Sequence, residues 1–201
     1  VIPLLLMLVA TDAQATTPVD AERAFAADAQ AIGQWTAFRK WSSDDAIMFV
    51  PQPVNAHTFL KDRKDPPRAI DWWPTESWMS CDGGTAVNTG GWRRPDGAIG
   101  YFTTVWQKQP DGRWKWILDS GDTLKKPRAR PAYPTAHIAS CTGAAGYEGL
   151  YIGKMGGGAA SDHTLNWSWH VEDDGARTLR IGMWNGRSFD SVVDDEIAAA
   201  K

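Results

Sequence analysis

GAIGYFTTVWQKQPDGRWKWILDSGD, residues 97–122, is the stretch from which the rest of the chain can be read. Two runs rich in aromatic and β-branched residues, 98–107 and 113–120, flank Gln109-Pro110-Asp111-Gly112. Asp-Gly supplies a left-handed turn position and the flanks suit strands, so the stretch reads as a β-hairpin. Strand alternation then sorts the side chains. In the second strand Trp114, Trp116 and Leu118 share one face, while Arg113, Lys115, Ile117 and Asp119 share the other. In the first strand Phe102, Thr104 and Trp106 alternate with Tyr101, Thr103 and Val105. Both faces therefore carry apolar bulk. One face of such a sheet packs on a helix, and the other meets a cavity, a partner or more sheet; the alternation does not choose among these.

Upstream, Thr17-Pro18-Val19-Asp20 has the marks of a helix start: a capping hydroxyl, a proline at the first helical position and an acid in the first turn. Phe25, Ala29 and Ile32 fall on one stripe of an alanine-rich helix, Gly33 breaks it, and residues 34–41 resume it with Trp35 and Phe38. Residues 46–50 form a short strand closed by Pro51-Gln52-Pro53, and 55–62 a helical turn capped by Asn55. Pro66-Pro67 marks an exposed loop. Residues 70–81 and 85–93 are two more strands, the first bent at Pro74. Helices followed by an antiparallel meander give an α+β fold with the helices on one face of a strongly curved sheet.

Downstream, residues 124–146 are proline-rich and aperiodic, a meandering connection. Gly156-Gly157-Gly158 lacks the spacing of a phosphate loop and reads as a flexible turn. Residues 164–171 and 178–185, joined by Asp174-Gly175, form a second hairpin, and 189–193 one more short strand. Such strands are marginal alone, so they extend or cap the main sheet.

The 201 residues suffice for a substantial core and are read as one main domain, 16–124, with an extension, 125–201. A net charge of −3 with no concentrated basic face argues against nucleic acid as a partner. The short basic segment 125–130 reads as a solvated linker. Residues 1–10, VIPLLLMLVA, are too few to span a bilayer. With Ala13 and Ala15 at signal-peptidase spacing, 1–15 reads as the remnant of a signal peptide. A periplasmic or secreted location follows, with no stable membrane span after processing. Cys81 and Cys141 form a disulfide in such a compartment or remain two separate buried thiols. Neither has a neighbour at metal-ligand spacing, and His163 and His170 fall on opposite strand faces, so no metal is expected. No cofactor motif is present.

The order helix, proline-ended strand, small helix, three-stranded meander resembles the cystatin-like cone of the nuclear-transport-factor-2-like superfamily, in its SnoaL-like and ketosteroid-isomerase-like branch. The residues that carry the resemblance are 21–41 with the Gly33 break, 43–51 (SDDAIMFVP), and 100–122 with Trp106, Asp111-Gly112, Trp114 and Trp116. It covers roughly residues 19–124. It implies a conical apolar pocket under the helices and a homodimer formed through the outer sheet face. The catalytic residues of the isomerase branch do not carry over: Val50 stands at the position of its carboxylate base, and Ala26 near that of its oxyanion-binding tyrosine. Without base and donor, steroid-isomerase chemistry by those residues is not expected.

Other residues remain as candidates for acid–base work: Asp119 and Asp122 at the end of the last meander strand, His57 on the small helix that lids the pocket in this fold, and Tyr101. Trp72, Trp92, Trp106, Trp116 and Glu76 are candidates for lining the pocket. The expectation is an exported protein with a pocket for a small apolar or aromatic molecule. The alternatives are an isomerase, cyclase or dehydratase using a non-standard acid–base pair, and a partner-binding protein acting through its sheet face.

Overall fold

The computed structural model describes residues 15–143 and 154–199. The chain begins with two helices, α1 (Pro18–Ile32) and α2 (Gln34–Trp41). The Thr17 hydroxyl accepts from the Asp20 amide, so the expected cap is in place. Between the helices Gly33 takes φ 104°, and a side chain there would meet the Asp65 carboxylate at 2.4 Å. That carboxylate accepts from the amides of Trp35 and Thr36, capping α2 from a distant loop.

The first sheet has seven strands in the order β2 (Pro53–Asn55), β1 (Ser42–Phe49), β6 (Trp114–Thr123), β5 (Ile99–Lys108), β4 (Thr85–Arg93), β3 (Asp71–Met79), β7 (Thr135–Ile138). A short helix, α3 (Ala56–Leu60), follows β2. The meander β3–β6 is antiparallel as expected, whereas β1 joins β6, and β7 joins β3, in parallel. The second sheet has the order β11 (Phe189–Ile197), β10 (Arg177–Trp184), β9 (Leu165–Val171), β8 (Met155–Ala159). The extension is thus a four-stranded sheet of its own. Glycines 156–158, read from the sequence as a flexible turn, lie in β8 instead. A Cβ on Gly156 or Gly158 would come within 2.4 Å of the Trp169 or Trp167 ring, so glycine there makes room for the indoles of the neighbouring strand.

Two apolar cores share the first sheet. On its concave face Phe25, Ala29, Trp72, Phe102, Trp106 and Trp116 pack beneath the helices. On its convex face Trp78, Val87, Val105 and Leu118 pack against Leu165, Trp167, Trp169, Leu179 and Ile181 of the second sheet. The second apolar face is therefore met by more sheet, and the face through which the resemblance implies dimerisation is covered by this chain's own residues. Cys81 and Cys141 form a disulfide.

Two bulges set which residues face which core. Val105 pairs with Leu118 but Trp106 pairs with Trp116, so Ile117 is an extra residue in β6. Leu118 thereby leaves the face of Trp114 and Trp116, and Asp119 turns onto the concave side, reversing the alternation read from the sequence. In β3, Pro74 pairs with Gly90 and Glu76 with Thr89, so Thr75 is the extra residue. This turns Trp78 into the convex core and Glu76 away from the cone. The segment read as a leader lies outside the described residues apart from Ala15. Among the described residues, no helix is long and apolar enough to cross a membrane.

Candidate functional site

Between the helices and the concave sheet face lies a cavity of about 280 Å³. Phe25 and Phe38 come from the helices, Met48 from β1, and Trp72, Trp92 and Phe102 from the meander. The close approach of these rings depends on small residues. A Cβ on Gly90 would sit 2.6 Å from the Phe102 ring, and one on Gly100 2.1 Å from that of Trp92. The wall is apolar and aromatic, with two carboxyl groups set into it, Glu22 and Asp119.

Glu22 lies on the buried stripe of α1 with Ala21, Phe25 and Ala29 and has no solvent exposure. Three strands send donors to it: the indole N–H of Trp72 at 2.9 Å, that of Trp106 at 2.8 Å and the amide of Asn88 at 3.3 Å. Burial is the strongest influence on its acidity and pushes its pKa up to about 7. The three donors oppose the rise, and the charge of Asp119 adds to it. Glu22 was not among the sequence candidates. The available signal was its place three residues before Phe25 in an otherwise apolar stripe.

Asp119 stands opposite Thr104, whose hydroxyl donates to Oδ1 at 2.9 Å. No other donor holds it among the described residues, which leaves Oδ2 for whatever enters the cavity. Burial pushes its pKa up to about 7, with the Thr104 hydrogen bond and the Arg177 charge pulling the other way. A carboxyl group poised near neutrality can accept or release a proton under ordinary conditions.

The other candidates are distributed differently. Trp72 and Trp92 line the cavity. Trp106 instead lies behind the wall holding Glu22, and Trp116 is fully buried against Phe38, so both are core rather than lining. Glu76 is exposed on the other side of the sheet because of the Thr75 bulge. His57 does not reach the cavity; its Nε2 shares a hydrogen bond of 3.0 Å with the Ser42 hydroxyl beneath α3. Asp122 sits at the rim, where Oδ1 accepts from the Thr123 amide. Tyr101 pairs with Asp122 and borders the rim, with the Arg128 guanidinium 4.8 Å from its ring centre. Burial, followed by the charges of Asp195 and Asp122, raises the Tyr101 pKa well above that of an ordinary tyrosine, keeping it protonated. Of the acid–base pairs considered from the sequence, those with His57 do not form in the cavity, whereas Asp122 and Tyr101 stand opposite each other at its rim and Asp119 shares the wall with Glu22. Among the described residues no group of three or more His, Cys, Asp or Glu side chains is arranged to hold a metal ion.

The rim is completed by the second sheet. The last pairing of β1 with β6 is Met48 with Asp119, so the β6 edge beyond it has no strand beside it. Arg177, the first residue of β10, reaches that edge and donates from Nη2 to the Gly121 carbonyl at 2.9 Å. Its guanidinium lies 5.3 Å from the Phe49 ring centre and borders the cavity.

No family model matches the sequence, and no curated protein matches it. Several solved structures do. A protein from Parabacteroides distasonis provisionally named a ketosteroid isomerase is 18% identical, with a TM-score of 0.45, over 57% of this chain and 94% of its own. Another from Shewanella frigidimarina, with the same provisional name, is 18% identical with a TM-score of 0.39, over 51% of this chain and 92% of its own. A provisionally named aromatic ring hydroxylase from Novosphingobium aromaticivorans is 15% identical with a TM-score of 0.38, over 54% of this chain and 87% of its own.

Proposed function

We propose that this protein is an exported binder of a small apolar or aromatic molecule, held in the cone with a polar group against Asp119. The observation that carries the reading is Asp119 itself: a carboxyl group with one hydrogen bond, set into an aromatic wall beside a cavity. A purely structural carboxylate at such a position would have both oxygens hydrogen-bonded, as those of Glu22 are. Export is supported by the disulfide, which fits an oxidising compartment. Titration calorimetry with 2-naphthamide, a neutral two-ring aromatic, tests the pocket. Saturable one-to-one binding is expected, and Met48→Trp, which places an indole in the cavity wall, should abolish it while leaving the circular dichroism spectrum unchanged. Absence of heat with the native protein, or equal binding by the variant, would sink the reading.

The Asp119 pKa near 7 favours a second reading, in which the bound molecule is also a substrate for proton transfer of the isomerase, cyclase or dehydratase kind. Here ionised Asp119 removes a proton from carbon and returns it elsewhere on the same molecule, while Glu22 adjusts the charge behind the wall. A ketone such as 2-tetralone would then exchange its α-hydrogens for deuterium in heavy water faster with the protein than without it. The rate should rise as pH passes through about 7 and Asp119 ionises. Asp119→Asn should bind 2-naphthamide and lose the exchange; unchanged exchange in that variant would remove Asp119 from the chemistry.

A further inference from the structure

We infer that the molecule bound in the cone carries an acidic group, a carboxylate, which the Arg177 guanidinium receives at the cavity mouth. The inference rests on the pocket reading above and narrows it to apolar or aromatic carboxylic acids. Arg177 lies outside the part of the chain that resembles the cone superfamily, and it is the second sheet that brings it to the rim. Its side chain is half-buried, yet among the described residues no carboxylate comes within ion-pair distance of it, and its single hydrogen bond is to the Gly121 carbonyl. Its Nε–H is buried with no acceptor among the described residues. Buried donors are almost always paired, so an unpaired one on a charged group beside a cavity points to an acceptor supplied from outside. A guanidinium presents its donors as a planar fork, and that fork matches a carboxylate.

The charges around the mouth agree with this choice. Arg94 also borders the cavity, 5.3 Å from the Trp92 ring centre, and has no ion-pair partner among the described residues. Against these two permanent cations stand Asp122 at the rim, and Asp119 and Glu22 deeper in, both raised towards neutrality by burial. Asp195 also acts on Arg177, but its carboxylate already accepts from the Thr103 hydroxyl at 2.7 Å. An amine could reach the open Oδ2 of Asp119, but burial disfavours the charged form of that carboxyl group, and at the mouth the amine would face the two guanidinium groups. A carboxylate meets donors that are waiting, and the rest of the molecule then extends along Trp92 and Phe102 into the cone.

The test compares 2-naphthoate with 2-naphthamide and 2-naphthylmethylamine, three probes of one shape that differ in charge, by titration calorimetry on the native protein. The acid should bind about tenfold or more tightly than the amide, the scale of one added charge-assisted hydrogen-bonded contact, and the amine most weakly. Arg177→Gln should remove that preference, read as the ratio of acid to amide affinity within each protein; Arg177→Lys, which keeps the charge without the fork, should restore only part of it. Equal binding of acid and amide, or tighter binding of the amine, overturns the inference and leaves the pocket reading standing. So does a preference for acid that survives in Arg177→Gln. Failure of all three probes removes the pocket reading and this inference together. The comparison on the native protein needs no variant, so it decides even if Arg177→Gln does not fold.

Discussion

Two carboxyl groups buried beside the cavity should make the dependence of stability on pH measurable. Burial raises Glu22 from its ordinary 4.5 and Asp119 from 3.8, each to about 7. In the unfolded chain both ionise at lower pH than in the folded one. Between those ranges the folded state holds more protons, so stability falls as pH rises. Each group contributes a slope of at most about 1.4 kcal/mol per pH unit. Below the unfolded values the penalty vanishes, and above about 7 it is fully present. Urea denaturation from pH 4 to 8 should show this decline, and Glu22→Gln should flatten it more than Asp119→Asn. Glu22 is packed on all sides, whereas Asp119 borders a cavity that water can enter. The two indoles donate to different oxygens of Glu22, and the amide in Glu22→Gln offers only one acceptor oxygen, so its value at pH 8 tests whether relief of the charge outweighs one buried donor left without an acceptor. A profile that rises from pH 4 to 7 in the native protein would mean that neither group is raised.

At the scale of elements, the strand bulges determine what the site contains. With Ile117 in place, Trp114 and Trp116 fill the concave core, Leu118 fills the convex one and Asp119 faces the cavity. Deleting Ile117 would remove the bulge and leave Trp116 and Leu118 as consecutive residues opposite Trp106 and Val105, the regular alternation in which each keeps its present face. Deletion should therefore retain cooperative unfolding, and its loss would show that the local kink of the bulge, not only the register, is required. Ile117→Ala, which keeps the backbone residue and trims a half-buried side chain, should cost only about 1–2 kcal/mol in denaturant titration. Equal costs would show that the side chain, not the extra residue, matters. The bulges also explain which part of the site could be read from the sequence. Period-two alternation and Asp-Gly turns identify the meander, the helices and the hairpin, because these signals are local. Nothing local in DWWPTES or WKWILDS announces an extra residue, since a bulge is defined by the partner strand opposite it. Asp119 is thus a candidate that regular alternation puts on the face opposite Trp114 and Trp116 and the bulge turns to the cavity, and Glu76 is expected in a pocket from which the Thr75 bulge turns it away. Glu22 was missed for a related reason: a buried glutamate becomes intelligible only once Trp72, Asn88 and Trp106 of three strands converge on it. The strand β8 was hidden because three glycines read as a turn until the indoles that need their space are known.

For the molecule as a whole, the second sheet determines whether the cone can exist as a well-behaved protein. A sheet with apolar residues on both faces needs two covers, and only the inner one is supplied by residues 16–60. Trp78, Val87, Val105 and Leu118 on the outer face are each buried by the second sheet. Burial of one such side chain contributes about 1.5–3 kcal/mol, so losing four together is comparable with the ~5–15 kcal/mol that holds a domain folded. Removing the cover also removes Cys141, the carboxylate of Asp195 that accepts from Thr103, and the Arg177 guanidinium that occupies the open β6 edge. A chain comprising residues 16–124 should therefore associate or aggregate at micromolar concentration, as measured by light scattering coupled to size exclusion, under conditions where the 16–201 chain does not. Replacing Val87 and Leu118 by Thr and Gln in the short chain should reduce that association by making the bare face less apolar. The same short chain also separates stability from function. If it is recovered folded after these replacements, it keeps the aromatic walls, Glu22 and Asp119 but lacks Arg177, and should bind 2-naphthamide and 2-naphthoate alike. A short chain with native solubility and stability and no polar replacements would show that the outer face needs no cover, and that the second sheet is an appendage to the cone rather than part of its structure.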